Sequence, residues 1–463
     1  MNVCLIRPFN KYSYSMTPPL GLGYLASTLK IKGKHNVYLF EAVRDNISGT
    51  ADLAKFISKL NPQVVGIQVY TVDLLVVKEY LQKIKQINKQ IITVLGGPHP
   101  STVPEETMNY FGPDVDFIIE GEGERGLLAL VNMLSNNCSA WEKVPGLVWR
   151  NVDDRIIRNK KEFVKDLNEI PWPDWELLDL KSYKHAPLGG FSKNFPMAPI
   201  IVSRGCPYRC TFCAAKTIYG TGFRYRDIDD VIAEIIYLRD RFGVKEIMIQ
   251  DDNITFKKSV ILDFCEKMRP LKMDWNCLNG IRLNTIDDEV AENMMRSGCY
   301  AVAVGIESGS QRILDDMNKK LKLDLIMNKV NILAKHKMKI TGQFMVGYPT
   351  EKPEDIQKTI EFAKKLPIER AAFASFMPLP GSQIYSDLLK QGKLENVEFE
   401  KMSYYNVVRS FTPHVPTEEL AGFLKKAVKS FYLRPSIIFK MMISIGSPSN
   451  FWNLLVRFAK NYI

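Results

Sequence analysis

Three cysteines stand close together in the stretch "SRGCPYRCTFCAAK", an arrangement typical of ligands to a metal cluster. Cys206, Cys210 and Cys213 have the spacing C-x3-C-x2-C, so one loop can wrap around a cluster and present three sulfurs to it. A structural zinc ion would need a fourth Cys or His nearby, and the loop contains none. Three thiolates on a 4Fe-4S cube leave one iron open, so the spacing predicts a catalytic iron-sulfur centre.

The cysteine loop follows the first strand of a repeating βα pattern in residues 197–400. The predicted strands are "PIIVSRG", "VKEIMIQ", "DWNCLNG", "YAVAVGI", "MKITGQFMVG" and "RAAFASF", and helical patterns follow them. This repeat predicts a partial (β/α)6 TIM-type barrel, in which chemistry takes place at the carboxyl ends of the strands. The three cysteines therefore belong to the predicted barrel mouth.

Residues 1–140 are predicted to form an α/β domain with a five-stranded, doubly wound (Rossmann-like) sheet. Its strands are "NVCLIRP", "NVYLFEA", "VVGIQVY", "IITVLGG" and "VDFIIEG". Ligands bind such sheets at the carboxyl strand ends, which here carry "YTVD", "GGPHPS" and "EGEGE". Residues 141–196 then indicate a hairpin followed by an extended linker, and residues 401–463 a helical C-terminal region.

Composition indicates a globular chain without deciding what it binds. The net charge of +11 suits an anionic ligand, a nucleic acid or an acidic membrane surface, but no DNA-reading motif occurs, so we expect no nucleic-acid partner. The chain shows neither a signal peptide nor an apolar run long enough to span a membrane. We expect a cytoplasmic protein. Its remaining cysteines are predicted to be small buried hydrophobic residues: Cys4, Cys138, Cys265, Cys277 and Cys299.

The cysteine loop resembles that of the radical S-adenosylmethionine superfamily, in which an aromatic residue, here Phe212, precedes the last cysteine. "IMIQDDNIT", "LNGIRLN", "VAVGIESGS" and "GQFMVGYPTE" resemble strand-end motifs of the subgroup that carries an N-terminal cobalamin-binding domain. "PPLGLGYLA", "GGPHPSTVPEE" and "GEGE" resemble that domain itself, so the likeness covers residues 1–400. It implies a 4Fe-4S cluster, S-adenosylmethionine and cobalamin as cofactors.

By this resemblance the open iron chelates S-adenosylmethionine. An electron from a reductant such as a flavodoxin or ferredoxin then cleaves it to methionine and a 5′-deoxyadenosyl radical. Asp251 and Asp252 would face the ammonium group of the cosubstrate and Arg282 its carboxylate, although two N-caps and a surface ion pair are the alternatives. Glu307 would bind the ribose. The full set of implied contacts is Phe212, Asp251, Asp252, Arg282, Asn284, Glu307, Ser308, Val346 and Gly347.

The implied cobalamin contacts lie at the strand ends of the N-terminal domain. They are Thr17, Pro18, Gly21, Tyr70, Thr71, Gly96, Gly97, His99, Glu120, Gly121 and Glu122. The usual cobalt-ligating motif D-x-H-x-x-G is missing. We expect His99 to have a turn or phosphate-side role, and residues 70–73 to face the cobalt. A domain that has lost cobalamin remains the alternative.

The resemblance implies a methyltransferase that acts on an unactivated carbon of a small or lipid-like substrate. The adenosyl radical would abstract a hydrogen atom and methylcobalamin would supply the methyl group. Radical cyclisation or rearrangement is the alternative among enzymes, and a non-enzymatic cobalamin- or metal-sensing module the alternative from another class. A methylthiotransferase is disfavoured because it would need three more clustered cysteines. No catalytic side chain is assigned.

The end of the chain has the pattern of a basic amphipathic helix. Its apolar face would consist of Phe451, Leu454, Leu455, Phe458 and Tyr462. Such a helix can lie in a membrane interface, which predicts peripheral contact with the inner membrane face, or it can pack on the barrel.

Overall fold

A computed structural model describes residues 1–9, 17–183, 192–395 and 397–445. The predicted helix of residues 451–462 lies outside these ranges, so its membrane contact stays a prediction. Within the described ranges, no helix is both long and apolar enough to cross a membrane.

The N-terminal domain is a twisted sheet with helices on both faces. Its elements are β1 (Asn2–Arg7), α1 (Leu20–Ile31), β2 (Asn36–Glu41), α2 (Thr50–Leu60), β3 (Val64–Gln68), α3 (Leu74–Ile87), β4 (Ile92–Gly96), α4 (Pro98–Thr102), α5 (Pro104–Phe111), β5 (Phe117–Ile119), α6 (Gly123–Ser135), β6 (Leu147–Arg150), β7 (Ile156–Arg158) and α7 (Trp175–Leu178). The strand order is β2-β1-β3-β4-β5-β6-β7. The first five strands are parallel, as the doubly wound pattern predicts.

The sheet has seven strands rather than five because the predicted hairpin joins its edge. β6 pairs antiparallel with β5, and β7 with β6. Leu147 and Val148 are fully buried by this pairing, which explains why the hairpin docks on the sheet rather than starting a free linker. Along β1, successive side chains enter opposite core layers, with Val3 and Leu5 under α1 and α6 and Ile6 under α2 and α3.

The second domain contains the six predicted βα units. Its elements are β8 (Met197–Ile200), β9 (Ser203–Arg204), α8 (Ala215–Tyr219), β10 (Arg224–Tyr225), α9 (Ile228–Phe242), β11 (Glu246–Ile249), α10 (Lys258–Met268), β12 (Asp274–Ile281), α11 (Asp288–Arg296), β13 (Cys299–Glu307), α12 (Gln311–Asp316), α13 (Leu323–Lys335), β14 (Lys339–Val346), α14 (Pro353–Lys365), β15 (Arg370–Ser375), α15 (Gln383–Lys390), α16 (Thr417–Tyr432) and α17 (Pro435–Ile445). Six parallel strands form one sheet in the order β8-β11-β12-β13-β14-β15. The partial barrel is therefore confirmed.

The C-terminal helix α16 covers the edge of this sheet. Leu424, Ala427 and Phe431 are buried against it, and the Tyr432 hydroxyl bonds the backbone of Ala371 in β15. The described part of the helical tail therefore packs on the barrel. Four of the five cysteines outside the loop are buried as predicted, but Cys138 is exposed, because it follows the end of α6 in a surface turn.

Candidate functional site

The cysteine loop leaves the barrel directly after β9 and gives each sulfur one N–H donor. The backbone N–H of Tyr208 bonds Cys206, the N–H of Ala215 lies 3.5 Å from Cys213 Sγ, and Arg282 Nη1 lies 3.5 Å from Cys210 Sγ. Donors of this kind stabilise thiolates, which is the form that ligates iron. The loop therefore fits the predicted cluster.

Burial nonetheless raises the pKa of the Cys206 and Cys213 thiols, to about 11 for Cys213, and the Asp252 carboxylate raises both further. Bound iron would offset the free energy needed to deprotonate these buried thiols, because iron binds the thiolate form. Among the described residues, no group of three or more Cys, His, Asp or Glu side chains is close enough to hold a single metal ion.

The loop is fixed from both sides by hydrogen bonds to its middle. The N–H of Thr211 donates to Met317 O at 3.0 Å, and its carbonyl accepts from Ile384 N–H at 3.0 Å. The Thr211 hydroxyl lies 2.9 Å from Tyr348 OH, and Asn318 Nδ2 donates to Arg209 O at 2.8 Å. The backbone between Cys210 and Cys213 is thus held in place by the protein itself.

Gly205 makes the turn from β9 into this loop. Its φ is +91°, and a Cβ at this position would lie 2.2 Å from the carbonyl oxygen of Gly222. We expect Gly205→Ala to cost at least about 2 kcal/mol in unfolding free energy and to lower iron content, because the loop must move. Urea unfolding and iron analysis would measure both effects. Gly222→Ala is the control, since its Cβ would enter open space, and equal losses in both variants would contradict this prediction.

The two predicted acidic residues differ in their surroundings. Asp251 is buried and accepts from the Val202 N–H at 2.8 Å and from the Ser203 hydroxyl. Burial raises its pKa to about 7. Both Asp251 oxygens are therefore used to join β8 and β9 to the end of β11. Asp252 accepts from Gly205 N–H, and it is the member of the pair that acts electrostatically on the cysteines.

Arg282 is buried at the end of β12 and reaches the cysteine loop. Besides Cys210, its guanidinium bonds Asn284 Oδ1 at 2.9 Å and the carbonyl of Lys319, and it stacks 3.7 Å from the centre of the Tyr208 ring. The Asn284 amide in turn donates to Tyr208 OH at 2.8 Å. Arg282 therefore has partners inside the site, and not the surface ion pair that the sequence analysis gave as its alternative role. These contacts make Arg282 a support of the cluster loop.

Glu307 and Phe212 share a lysine that the sequence did not single out. Lys319 Nζ lies 2.6 Å from Glu307 Oε1 and 5.7 Å from the centre of the Phe212 ring. Gly305 keeps this pair possible, since a Cβ there would lie 2.6 Å from the Glu307 carboxylate. Ser308 points elsewhere: its hydroxyl lies 3.0 Å from that of Thr359, and it is fully buried.

Val346 and Gly347 end β14 in a turn that a buried glutamate holds. Glu351 Oε2 accepts from the Gly347 N–H at 2.6 Å and also bonds the Tyr348 N–H. Its Oε1 is buried without a hydrogen-bond partner among the described residues. Burial raises the pKa of Glu351 to about 8, so the carboxyl group is largely protonated at pH 7.

This raised pKa predicts a pH-dependent stability. Between pH 5 and pH 8 the unfolded chain is mostly deprotonated at Glu351, whereas the native chain keeps the proton until the pH nears 8, so stability falls as the pH rises. We expect wild type to lose about 3 kcal/mol more than Glu351→Gln over this window, since glutamine does not titrate. Denaturant unfolding at the two pH values would show it, with exposed Glu354→Gln as the control. A parallel decline in wild type and Glu351→Gln would contradict the assignment.

The N-terminal domain presents small residues and an unpaired amide oxygen at its carboxyl strand ends. Thr17 O accepts from Arg7 at 2.8 Å, Pro18 lies buried ahead of α1, and a Cβ on Gly21 would meet open space. Gly96 ends β4, and Gly97 has a φ of +97°. Beside Gly97, Gln68 Oε1 is buried without a partner among the described residues. An unpaired acceptor on this face fits a polar ligand such as the corrin amides of cobalamin.

His99 and residues 70–73 occupy the same face. His99 Nδ1 lies 3.1 Å from the Thr71 hydroxyl, and burial lowers the pKa of His99 to about 4. A neutral, buried and hydrogen-bonded imidazole agrees with the turn role that the sequence predicts. Tyr70 is 46% exposed and begins the short turn that leads into α3.

The glutamates of "EGEGE" have protein partners. Glu120 forms a two-pronged ion pair with Arg158 of β7, and Glu122 accepts from Arg224 Nη1 and the Val164 N–H at 2.8 Å each. The Glu120 carboxylate is therefore occupied, whereas Glu122 Oε1 is buried without a hydrogen-bond partner among the described residues, with Arg204 Nη1 3.5 Å away. This oxygen and the backbone around Gly121, with a φ of +75°, remain candidates for a ligand contact.

This acidic loop fastens the N-terminal domain to the barrel beside the cysteines. Arg204, which precedes Cys206 by two residues, donates to Glu124 at 2.7 Å and lies 3.5 Å from Glu122. All three side chains are buried, and the Tyr24 ring lies 5.1 Å from the Arg204 guanidinium. The carboxyl end of the N-terminal sheet is thereby joined to the strand that leads into the cluster loop.

Three tyrosines lie near the contact between the two domains, and two of them escaped the sequence analysis. Tyr70 begins the turn of residues 71–73, which contacts residues 399–401 just ahead of Tyr404. Tyr404 is 48% exposed, and its carbonyl accepts from the Ser375 N–H at 2.8 Å. Tyr219 ends α8, which contacts α4 of the N-terminal domain. The sequence analysis did not single out Tyr219 and Tyr404, because neither belongs to a motif.

Comparisons with known proteins agree with this arrangement. Residues 200–363 match the radical SAM superfamily, and residues 7–131 match the B12 binding domain. An uncharacterized methyltransferase from Pyrococcus horikoshii is 32% identical, with 91% of this chain and 89% of the relative covered. Cytidylyl-2-hydroxyethylphosphonate methyltransferase from Streptomyces wedmorensis is 26% identical (90% and 86% covered). Anaerobic magnesium-protoporphyrin IX monomethyl ester cyclase from Rubrivivax gelatinosus is 29% identical (90% and 73% covered).

Among solved structures, the fold is similar to that of the radical S-adenosylmethionine methyltransferase TsrM from Kitasatospora setae, in a structure with cobalamin and a [4Fe-4S] cluster bound. The TM-score is 0.74 at 17% identity, with 92% of this chain and 90% of the other covered. The likeness thus extends over both domains and their arrangement. The chain belongs to the radical SAM superfamily, in the group of enzymes that carry a B12 binding domain in front of the radical SAM domain.

Proposed function

We propose that this enzyme methylates an unactivated carbon of a small or lipid-like substrate held in the cleft between its domains. The observation that carries the proposal is the contact between the two domains, where the turn of residues 71–73, which begins at Tyr70, meets residues 399–401, just ahead of Tyr404. When bound, the cluster with S-adenosylmethionine supplies a carbon-centred radical, and cobalamin supplies the methyl group.

The chain's own residues bind and orient the reactants in this proposal. Cys206, Cys210 and Cys213 hold the cluster. Asp252 faces the ammonium group of S-adenosylmethionine, because both oxygens of Asp251 already accept hydrogen bonds from residues 202–203. Glu307 and the backbone at residues 346–347 serve the ribose and adenine. Tyr219 and Tyr404 line the substrate space and exclude water from it.

Product analysis tests the proposal against the alternative reaction. Anaerobically reconstituted enzyme, a one-electron reductant, S-adenosylmethionine with a deuterated methyl group and candidate metabolites or lipids would be analysed by mass spectrometry. Methyl transfer adds the deuterated group to the substrate, whereas cyclisation, supported by the similarity to the protoporphyrin ester cyclase, removes hydrogen without adding carbon. Absence of both products and of 5′-deoxyadenosine would contradict radical chemistry.

Cobalamin binding provides a separate prediction. We expect full-length protein to bind hydroxocobalamin, and His99→Ala to retain at least about a third of that affinity, because the neutral imidazole already bonds Thr71 and does not ligate cobalt. Equilibrium dialysis gives the affinity, and the spin spectrum of the Co(II) form reports nitrogen ligation. Nitrogen hyperfine splitting that disappears in His99→Ala would contradict the prediction.

A further inference from the structure

A basic groove lies on the outer side of the cysteine loop. It has a volume of about 590 Å³ and is formed by the start of α14, the α12 side chain Arg312 and the helix α15 with the turn after it. Ile384 and Leu388 contribute its apolar floor, and Lys352, Lys390 and Lys393 its rim. Tyr70 and Tyr404, which belong to the proposed substrate site, do not line the groove.

A backbone hydrogen bond connects the groove to the cysteine loop. Its lining residue Ile384 donates its N–H to the carbonyl of Thr211 at 3.0 Å, and Thr211 lies between Cys210 and Cys213 in the chain. A second contact joins the Thr211 hydroxyl to Tyr348 OH at 2.9 Å, directly before the lining residue Pro349. A molecule seated in the groove would therefore be close to the cluster.

The charges of the groove favour an acidic partner. Lys352, Lys390 and Lys393 are exposed, and among the described residues none of them forms an ion pair. Arg312 is paired with Asp355 and Asp316, and Asp387 is the carboxylate among the lining side chains. Unpaired cations around an apolar floor are typical of surfaces that dock an oppositely charged protein transiently.

We propose that this groove docks an acidic one-electron carrier protein, of the flavin or iron-sulfur class, which reduces the cluster. This inference rests on the proposed function, since radical chemistry requires one external electron for each reductive cleavage. In the step the carrier is oxidised by one electron and the cluster is reduced by one, while no atom is transferred. The groove thus separates electron entry from substrate entry.

The test compares charge reversal in the groove with charge reversal elsewhere. The variant is Lys390→Glu with Lys393→Glu, and the control is Lys55→Glu with Lys59→Glu, which carries the same charge change on exposed α2 of the N-terminal domain. Titration calorimetry with a purified acidic flavodoxin at low salt would give the affinity. We expect the groove variant to bind at least about tenfold more weakly and the control to bind like wild type.

Two rates of 5′-deoxyadenosine formation complete the test. With the flavodoxin system the groove variant should be slowed, and with dithionite it should equal wild type. Unchanged affinity in the groove variant, or an equal loss in the control, would overturn the docking proposal. If wild type forms no 5′-deoxyadenosine even with dithionite, the proposed function fails, while the affinity comparison still decides the docking surface.

Discussion

Replacing Cys206, Cys210 and Cys213 together by alanine is expected to remove the iron-sulfur cluster and with it all S-adenosylmethionine cleavage. Anaerobically reconstituted wild type should hold about four irons per chain and the triple variant almost none, because no other described side chains converge on the loop as substitute ligands. Iron and sulfide analysis with the absorbance of the cluster measures this directly. The fold should persist, since Thr211 holds the loop without the cysteines.

Cys138→Ala is the matched control, because this thiol is exposed and lies on the N-terminal domain. It should retain full iron content. Circular dichroism on all variants distinguishes loss of ligands from loss of fold. Stoichiometric zinc in place of iron, or four irons retained by the triple variant, would refute the assignment of the loop.

The second large effect is expected from Arg204→Ala. The substitution leaves Glu124 buried without its arginine partner and removes the more distant of the two arginines beside Glu122, which keeps Arg224. Breaking a buried ion pair in this way costs about 3 to 5 kcal/mol. Because Arg204 precedes the cysteine loop and joins it to the N-terminal domain, we also expect weaker hydroxocobalamin binding. Denaturant unfolding and equilibrium dialysis measure the two consequences.

Arg204→Lys refines this result. Lysine keeps the charge but lacks the planar fork that reaches both glutamates, so an intermediate loss is expected. Arg239→Ala, which removes an arginine paired only with its exposed neighbour Asp240, should change stability by less than about 1 kcal/mol. Equal unfolding free energies for Arg204→Ala and wild type would show that the buried pairs do not hold the domains.

Sequence was sufficient for the elements whose signal is local. The six barrel strands are apolar runs bounded by polar turns, and five of them were found at the predicted places. The first, predicted over residues 199–205, is divided between the barrel strand β8 and β9, which pairs with β10. The cysteine loop was also recognised, because ligand spacing within one loop needs no long-range contact. The hairpin of β6 and β7 was recognised, but its pairing with β5 depends on a partner edge that a local pattern does not encode.

The roles of individual polar residues were less predictable, because their partners are far away in the chain. Glu120 pairs with Arg158, and Glu122 with Arg204 and Arg224, none of which belongs to its motif. A motif shows that a carboxylate stands at a strand end, but not whether it faces a ligand or an arginine. Asp251 and Asp252, adjacent in sequence, also differ in their partners: Asp251 accepts from the Val202 N–H and the Ser203 hydroxyl, and Asp252 from the Gly205 N–H.

The buried arginine in β9 has a mechanical consequence for turnover. Opening of a hinge between the domains would separate Arg204 from Glu124 in a buried contact. It would also move the cluster ligands, since Cys206 is two residues from Arg204. Such a motion is too costly to repeat in every catalytic cycle. The segment around Tyr404 is joined to the end of β15 by the Ser375 N–H, 2.8 Å from Tyr404 O, and by the buried side chain of Met402. No buried ion pair among the described residues holds it, so it can lift at smaller cost. We therefore expect the substrate to enter and the product to leave by movement of the segment around Tyr404, and not by opening of the two domains about a hinge.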